Sequence, residues 1–203
     1  MAVEIIDVRN DSIGAEMEIE TGDILLSVNG HPVNDILDFQ FFTQDENLWL
    51  KIRKPNQEIW ELDIEKDFDE DLGLEFADIV FDKMKGCSNR CIFCFVDQLP
   101  RRMRRSLYVK DDDYRYSFLF GNFITLTNLS ETDWQKIETM QLSPLYISVH
   151  CIQGELRARM LGSLRGANIK SDLERLKAAN IKIHTQIVLC PGINDGTILE
   201  ETI

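Results

Sequence analysis

Between Lys85 and Phe95 the chain places three thiols, Cys87, Cys91 and Cys94, within eight residues, in the order Cys-Ser-Asn-Arg-Cys-Ile-Phe-Cys. Side chains this close in sequence can meet at one metal centre, so the segment is expected to fold as a loop that turns all three inward. Structural zinc and ordinary iron–sulfur sites take four protein ligands. A C-x3-C-x2-C run supplies three, which leaves one metal position open to a small molecule. Chance grouping is a poor account when the whole chain holds 5 cysteines. Two further readings stand beside this one: a zinc site completed by Cys151, Cys190, His150 or His184, and three thiols that share no ligand.

Charge divides the chain. Residues 1–75 carry 20 acids and 5 bases, a charge of −15, whereas residues 76–203 carry 15 acids and 17 bases, a charge of +2. The contrast sets a boundary near residue 70, inside Glu65-Lys66-Asp67-Phe68-Asp69-Glu70-Asp71, and predicts domains over 1–68 and 76–203. An acidic first segment lacks the basic face that phosphate binding needs, so nucleic acid is not an expected partner there. No run of about eighteen apolar residues is present, so no membrane span is expected. Met1–Asp11 lacks the basic region and apolar core of a signal peptide. The expected compartment is a reducing cytoplasm, where clustered cysteines favour metal or redox chemistry over disulfides.

The first segment reads as short strands and turns. Val3–Val8 and Ile24–Val28 are β-type runs, and Asn29-Gly30 is a strong turn signal because both residues tolerate positive φ. Asp35–Thr43 has helical spacing, and Leu48–Arg53 with Glu58–Ile64 predicts a hairpin around Pro55-Asn56. From residue 77 strands and helices alternate, the pattern of a parallel sheet with covering helices. Ala77–Met84, Tyr116–Leu126, Leu145–Cys151 and Ile181–Leu189 read as strands. Ile92–Arg105 has mixed helical character, and Glu131–Met140 (capped by Ser130), Glu155–Leu161 and Lys170–Asn180 read as helices. Asn194–Ile203 reads as the start of another.

Ser12-Ile13-Gly14-Ala15-Glu16 followed by Gly22-Asp23-Ile24-Leu25-Leu26-Ser27-Val28-Asn29-Gly30-His31-Pro32-Val33 resembles a PDZ domain of the bacterial kind. Such domains add a peptide as a strand and hold its carboxylate in a backbone nest. Only Met1 and Ala2 precede the strand that the nest loop should lead into. Leu72-Gly73-Leu74-Glu75-Phe76 is a substitute in a permuted arrangement, or else a linker into the next strand.

The cysteine run, with Phe95-Val96-Asp97-Gln98-Leu99-Pro100, Tyr108–Arg115 and Leu189–Gly196, is similar to radical S-adenosylmethionine (SAM) enzymes. In particular it resembles the bacterial iron–sulfur oxidoreductases that join a PDZ-like domain to a radical SAM core and a C-terminal domain of unknown function of the DUF512 type. The resemblance implies an α/β fold: a small β-rich PDZ-like domain, then a partial (βα)6 barrel, here truncated. It implies a [4Fe-4S] cluster on Cys87, Cys91 and Cys94, SAM at the open iron, and reductive cleavage of SAM to a 5′-deoxyadenosyl radical. It also implies an electron donor such as a flavodoxin or ferredoxin. A peptide-binding module on a catalytically idle or merely structural metal core is the alternative.

Position within that family makes Phe93 the aromatic beside the adenine, and Gly121 and Asn122 the holders of the SAM amino group. The family's motif there ends in an acid, and this stretch does not. Gly121-Asn122 within a strand equally suits a plain β-bulge. Ser148 and His150, near a strand's C-terminal end, are candidates for SAM and substrate, and Gln186 points to the same region if register holds. Cys151 and Cys190 are read as buried small apolar residues. Arg101-Arg102-Met103-Arg104-Arg105 reads as a solvated face paired with Asp111-Asp112-Asp113, or less simply as a site for an anionic substrate or an RNA backbone.

Overall fold

Alternating burial along Val3–Val8 (β1), with Val3 and Ile5 inward and Glu4 and Ile6 outward, marks the inner strand of the first sheet. A computed structural model describes residues 3–68 and 70–203. Met1 and Ala2, noted as the only residues before β1, and Asp69 of the acidic boundary run lie outside the described residues. Two compact units form, Met1–Lys83 and Met84–Ile203.

In the first unit β1 is followed by the helical turn Ile13–Glu16 (α1), Ile24–Val28 (β2), His31–Pro32 (β3), Ile36–Phe42 (α2), Asn47–Arg53 (β4), Ile59–Glu65 (β5) and Leu74–Phe76 (β6). The sheet runs β5-β4-β2-β1-β6 with β3 beside β2, and every pairing is antiparallel. Asn29 and Gly30 take φ of +50° and +77° to turn β2 into β3, as their sequence requires. Leu25, Val28, Leu50, Ile52, Phe39 and Leu72 pack the core. Leu72–Phe76 is no free linker: Leu74 and Glu75 pair with Val8 and Asp7, so β6 becomes the edge of the first sheet. Gly73 (φ +76°) lies so close to Ser12 that a Cβ would stand 2.4 Å from that residue's Cβ, which demands glycine. Ala77–Met84 does not form the expected strand. The Ile79 carbonyl instead accepts from the Ile36 N–H at the start of α2 and the Phe81 N–H donates to the Asn34 carbonyl, with Val80 bridging Asp35.

The second unit holds Tyr114–Phe120 (α3), Glu131–Thr139 (α4), Leu145–Ser148 (β7), Gly154–Leu161 (α5), Ile169–Ala178 (α6), Ile183–Gln186 (β8) and Thr197–Thr202 (α7). Four strands were expected. Among the described residues the parallel sheet consists of β7 and β8, extended by one bridge from Ile124 to Ile147. Tyr116–Leu126 is therefore not a strand: its first five residues belong to the helix α3, and of the rest Ile124 makes the single bridge. Its aromatics favour β structure, but the caps decide: Asp113 accepts from the Arg115 N–H, and Gly121 closes the helix at φ +77°. Ser130 caps α4 in a reciprocal capping box with Asp133. Ile92–Arg105 forms turns rather than a helix and leads into a 3-10 turn at Arg105–Tyr108.

Candidate functional site

The cysteine loop is fastened at three points. At its start Lys85–Cys87 runs antiparallel to Lys110–Asp112: the Cys87 N–H donates to the Lys110 carbonyl (2.9 Å) and the Asp112 N–H to that of Lys85 (3.0 Å). In its middle the buried Asn89 donates to Thr125 Oγ1 (2.8 Å) and accepts from Thr127 Oγ1 (3.0 Å). At its end the Arg90 and Ile92 N–H groups donate to the Leu161 and Met160 carbonyls, the orphan acceptors at the C-terminus of α5. Gly162 makes this approach possible, since a Cβ there would lie 2.9 Å from the Arg90 carbonyl oxygen.

Asp112 carries the network onward by accepting from the Thr125 N–H and hydroxyl, both at 2.6 Å. Burial raises its carboxyl pKa. Beneath the site Arg157, fully buried, donates to the carbonyls of Val149, Gly166, Thr125 and Ser148 at 2.7–2.9 Å. One planar guanidinium thus ties together three backbone segments, at Thr125, Ser148-Val149 and Gly166.

A cleft of about 590 Å³ opens above this frame. Cys87, Cys91 and Cys94 line it, and so do Phe93, Gly121, Asn122, Ser148, His150 and Gln186. The three loop thiols and the candidates for SAM and substrate thus line one space, although Phe93 and Gln186 come from opposite ends of the unit; Cys151, Cys190 and His184 do not line it. A larger hollow of about 810 Å³ beside α5 has neither thiol nor histidine in its walls. Gly121 faces Tyr146, where a Cβ would stand 3.3 Å from the ring, so it is a helix-end glycine and not a strand bulge. Asn122 donates from Nδ2 to Asp111 Oδ2 at 2.8 Å.

His150 sits on the cleft wall at φ +63°, with its ring centroid 4.5 Å from that of Phe93. Its Nδ1 accepts from the Val188 N–H (3.1 Å), which selects the neutral tautomer, and burial followed by the nearby Arg157 charge lowers its pKa to about 4. Asn194, also fully buried, donates to the His150 and Val188 carbonyls and accepts from the Cys190 N–H, shaping the turn beside it.

None of the three loop thiols is in a disulfide. Burial pushes the Cys87 thiol up, and burial with repulsion from Cys87 and Cys94 pushes Cys91 up to about 11. Among the described residues no three Cys, His, Asp or Glu groups stand ready to enclose one metal ion. Cys151 is buried against Leu156 and Met160, with Cys190 partly buried beside it, as small apolar residues. The Arg101–Arg105 run does not pair with Asp111–Asp113. Those carboxylates are taken by Asn122, Thr125 and Arg115 from within the fold.

Sequence reasoning missed Asn89, Asp112, Thr125, Arg157 and Asn194. Asn89 had a usable signal, lying inside the cysteine run; Arg157 had none, since it reads as an ordinary basic residue on an amphipathic helix.

Residues 66–203 match the family model described as a Radical SAM-like domain, and residues 4–54 match that of a PDZ domain. No curated protein matches the chain. Among solved structures, the PDZ domain of an SdrC-like protein from Listeria innocua is similar at 15% identity, covering 38% of this chain and 96% of that domain, with a TM-score of 0.33.

Proposed function

Because the chain belongs to the radical SAM-like family and carries a PDZ domain ahead of that core, we propose that it is an enzyme that holds a [4Fe-4S] cluster on Cys87, Cys91 and Cys94 and reductively cleaves SAM in the cleft they line. The observation that carries this reading is that three free thiols line one cleft together with Phe93, Gly121, Asn122, Ser148 and Gln186. The donor set fits the group: the half-buried Cys87 and Cys91 thiols, with their raised pKa values, become thiolates readily only against strong positive charge, which iron supplies, and Cys94 lines the same cleft. When bound, the cluster would supply one electron to the SAM sulfonium.

The protein's own groups bind, orient and exclude water. Phe93, propped against His150, offers a ring face to the adenine. Asp111 brings to Asn122 the carboxylate that the Gly121-Asn122 stretch lacks, and it orients the Asn122 amide so that its oxygen is the acceptor for an ammonium group. Ser148 and Gln186, adjacent on β7 and β8, provide polar contacts, while Val96, Phe123 and Val188 keep the walls apolar. His150, neutral and held at Nδ1, retains Nε2–H as a fixed donor toward substrate.

The first unit is read as a peptide-binding module. The short strand β6, following Leu72-Gly73, is the sheet edge on which a peptide strand would add. Anaerobic reconstitution with iron and sulfide, followed by SAM and a strong reductant, tests the enzyme reading. 5′-Deoxyadenosine is the expected product, and its absence from a fully loaded protein contradicts it.

A further inference from the structure

The segment from Asp97 to Tyr108 leaves the cleft wall at Phe95-Val96 and returns to it at Val109-Lys110, all four of which line the cleft. It is a built loop: the Tyr108 hydroxyl accepts from the Met103 N–H (2.8 Å) and donates to the Pro100 carbonyl, closing the loop across its base. The Lys110–Asp97 ion pair at 2.6 Å joins its two ends. On this closed loop Arg101, Arg102, Arg104 and Arg105 are all exposed. Among the described residues none of the four guanidinium groups has a carboxylate partner, because Asp111, Asp112 and Asp113 are committed elsewhere.

Four unpaired charges on five residues, in a chain of net charge −13, repel one another and gain nothing from the fold. Arginine in place of lysine adds a planar fork that takes two phosphate oxygens at once. Tyr108, 36% exposed, closes the same loop, and Phe95, 76% exposed, lines the cleft where the loop departs; both offer aromatic faces of the kind on which bases stack. We propose that the Arg101–Arg105 loop binds the phosphodiester backbone of a single-stranded nucleic acid and holds it at the cleft mouth. The proposal names the substrate class of the cleft and, for that consequence, rests on the enzyme reading above. The binding itself does not require the cluster. Paired phosphate oxygens and stacked bases would use both the planar forks and the exposed rings, whereas a polyacidic segment would use the charges alone, which favours nucleic acid.

The test is fluorescence anisotropy of a labelled single-stranded RNA of about twelve nucleotides titrated with the full chain, and with its DNA counterpart, at several salt concentrations. Four phosphate contacts predict a slope of log K against log salt of about −3. Substituting all four arginines by glutamine (R101Q, R102Q, R104Q and R105Q together) is expected to weaken binding at least tenfold and flatten the slope. The matching lysine variant is expected to keep most of the slope, which separates lost charge from a misfolded loop. RNA binding well above DNA assigns RNA as the substrate, and equal binding assigns the backbone alone; both uphold the proposal. No salt-dependent binding, or binding unchanged in the glutamine variant, overturns it. So does tighter binding to polyglutamate of similar length, which would make the loop a protein interface. Iron loading measured on the same preparations keeps failure of this proposal distinct from failure of the cluster reading.

Discussion

Asn89 and Thr125, thirty-six positions apart, are joined by a buried side-chain hydrogen bond of 2.8 Å that pins the middle of the cysteine loop to the strand-like segment beside β7. The same Thr125 hydroxyl meets Asp112 and lies 2.8 Å from that of Thr127, so one residue links the loop, the cleft wall and the sheet. Replacing Asn89 by leucine strands these partners in a buried site. The expected cost is about 1–3 kcal/mol in a denaturant titration, with a lower iron content after reconstitution. An unchanged midpoint would mean that the network does not hold the loop.

Gly162→Ala tests the far end of the loop. The new Cβ would press on the Arg90 carbonyl from a backbone at φ +60°. A loss of about 1–3 kcal/mol is expected. Ala at the neighbouring Ser163, which is free of that approach, is expected to change stability by less than about 1 kcal/mol.

Arg157→Met preserves length and apolar bulk but removes a donor from four carbonyls, of which that of Val149 keeps the Cys151 N–H. The expected destabilisation is about 3–5 kcal/mol, enough to unfold much of the protein at ambient temperature. Arg157→Lys is expected to recover only part of it, because an ammonium lacks the fork that reaches all four. Thermal melts of the two variants read the difference.

His150 gives the fold a pH dependence. Its folded pKa of about 4 lies below the ordinary 6.5, so the unfolded chain binds the proton more readily. Stability from this group is present above pH 6.5 and is lost as pH falls from 6.5 towards 4, by about 3 kcal/mol at most. Asn tolerates the positive φ and still offers an acceptor to Val188, so His150→Asn is expected to flatten the pH slope of the unfolding midpoint across that window.

Asp111→Asn removes the carboxylate held on Asn122 while keeping the bulk. If that pair receives the SAM ammonium group, affinity for SAM falls by about tenfold or more, measured by equilibrium binding to the reconstituted protein. Undiminished affinity would place the amino group elsewhere.

Local signals made part of this molecule legible. The bounds of β1 and β2, the Asn29-Gly30 turn and the Ser130 cap of α4 follow from residues adjacent in sequence. α3 misled because Tyr116, Phe118 and Phe120 favour strands, while the deciding Asp113 and Gly121 stand at its ends. Ligand spacing singled out the thiols and strand ends singled out Ser148, His150 and Gln186, whereas Phe93, Gly121 and Asn122 followed from the family resemblance. The frame beneath them was not readable: Arg157 acquires its role from carbonyls on three segments, and Asp112 from a threonine thirteen positions away. Only the tertiary fold creates those environments.

The central claim is that Cys87, Cys91 and Cys94 together hold a cluster with one iron open to SAM. Electron paramagnetic resonance of the anaerobically reconstituted, reduced protein, with and without SAM and alongside iron and sulfide analysis, tests it most directly. The account predicts about four irons and four sulfides per chain, a spectrum that changes when SAM is added, and loss of both in C87A, C91A and C94A but not in C151A or C190A. Zinc without sulfide, or a cluster that survives loss of the three loop cysteines, would contradict it.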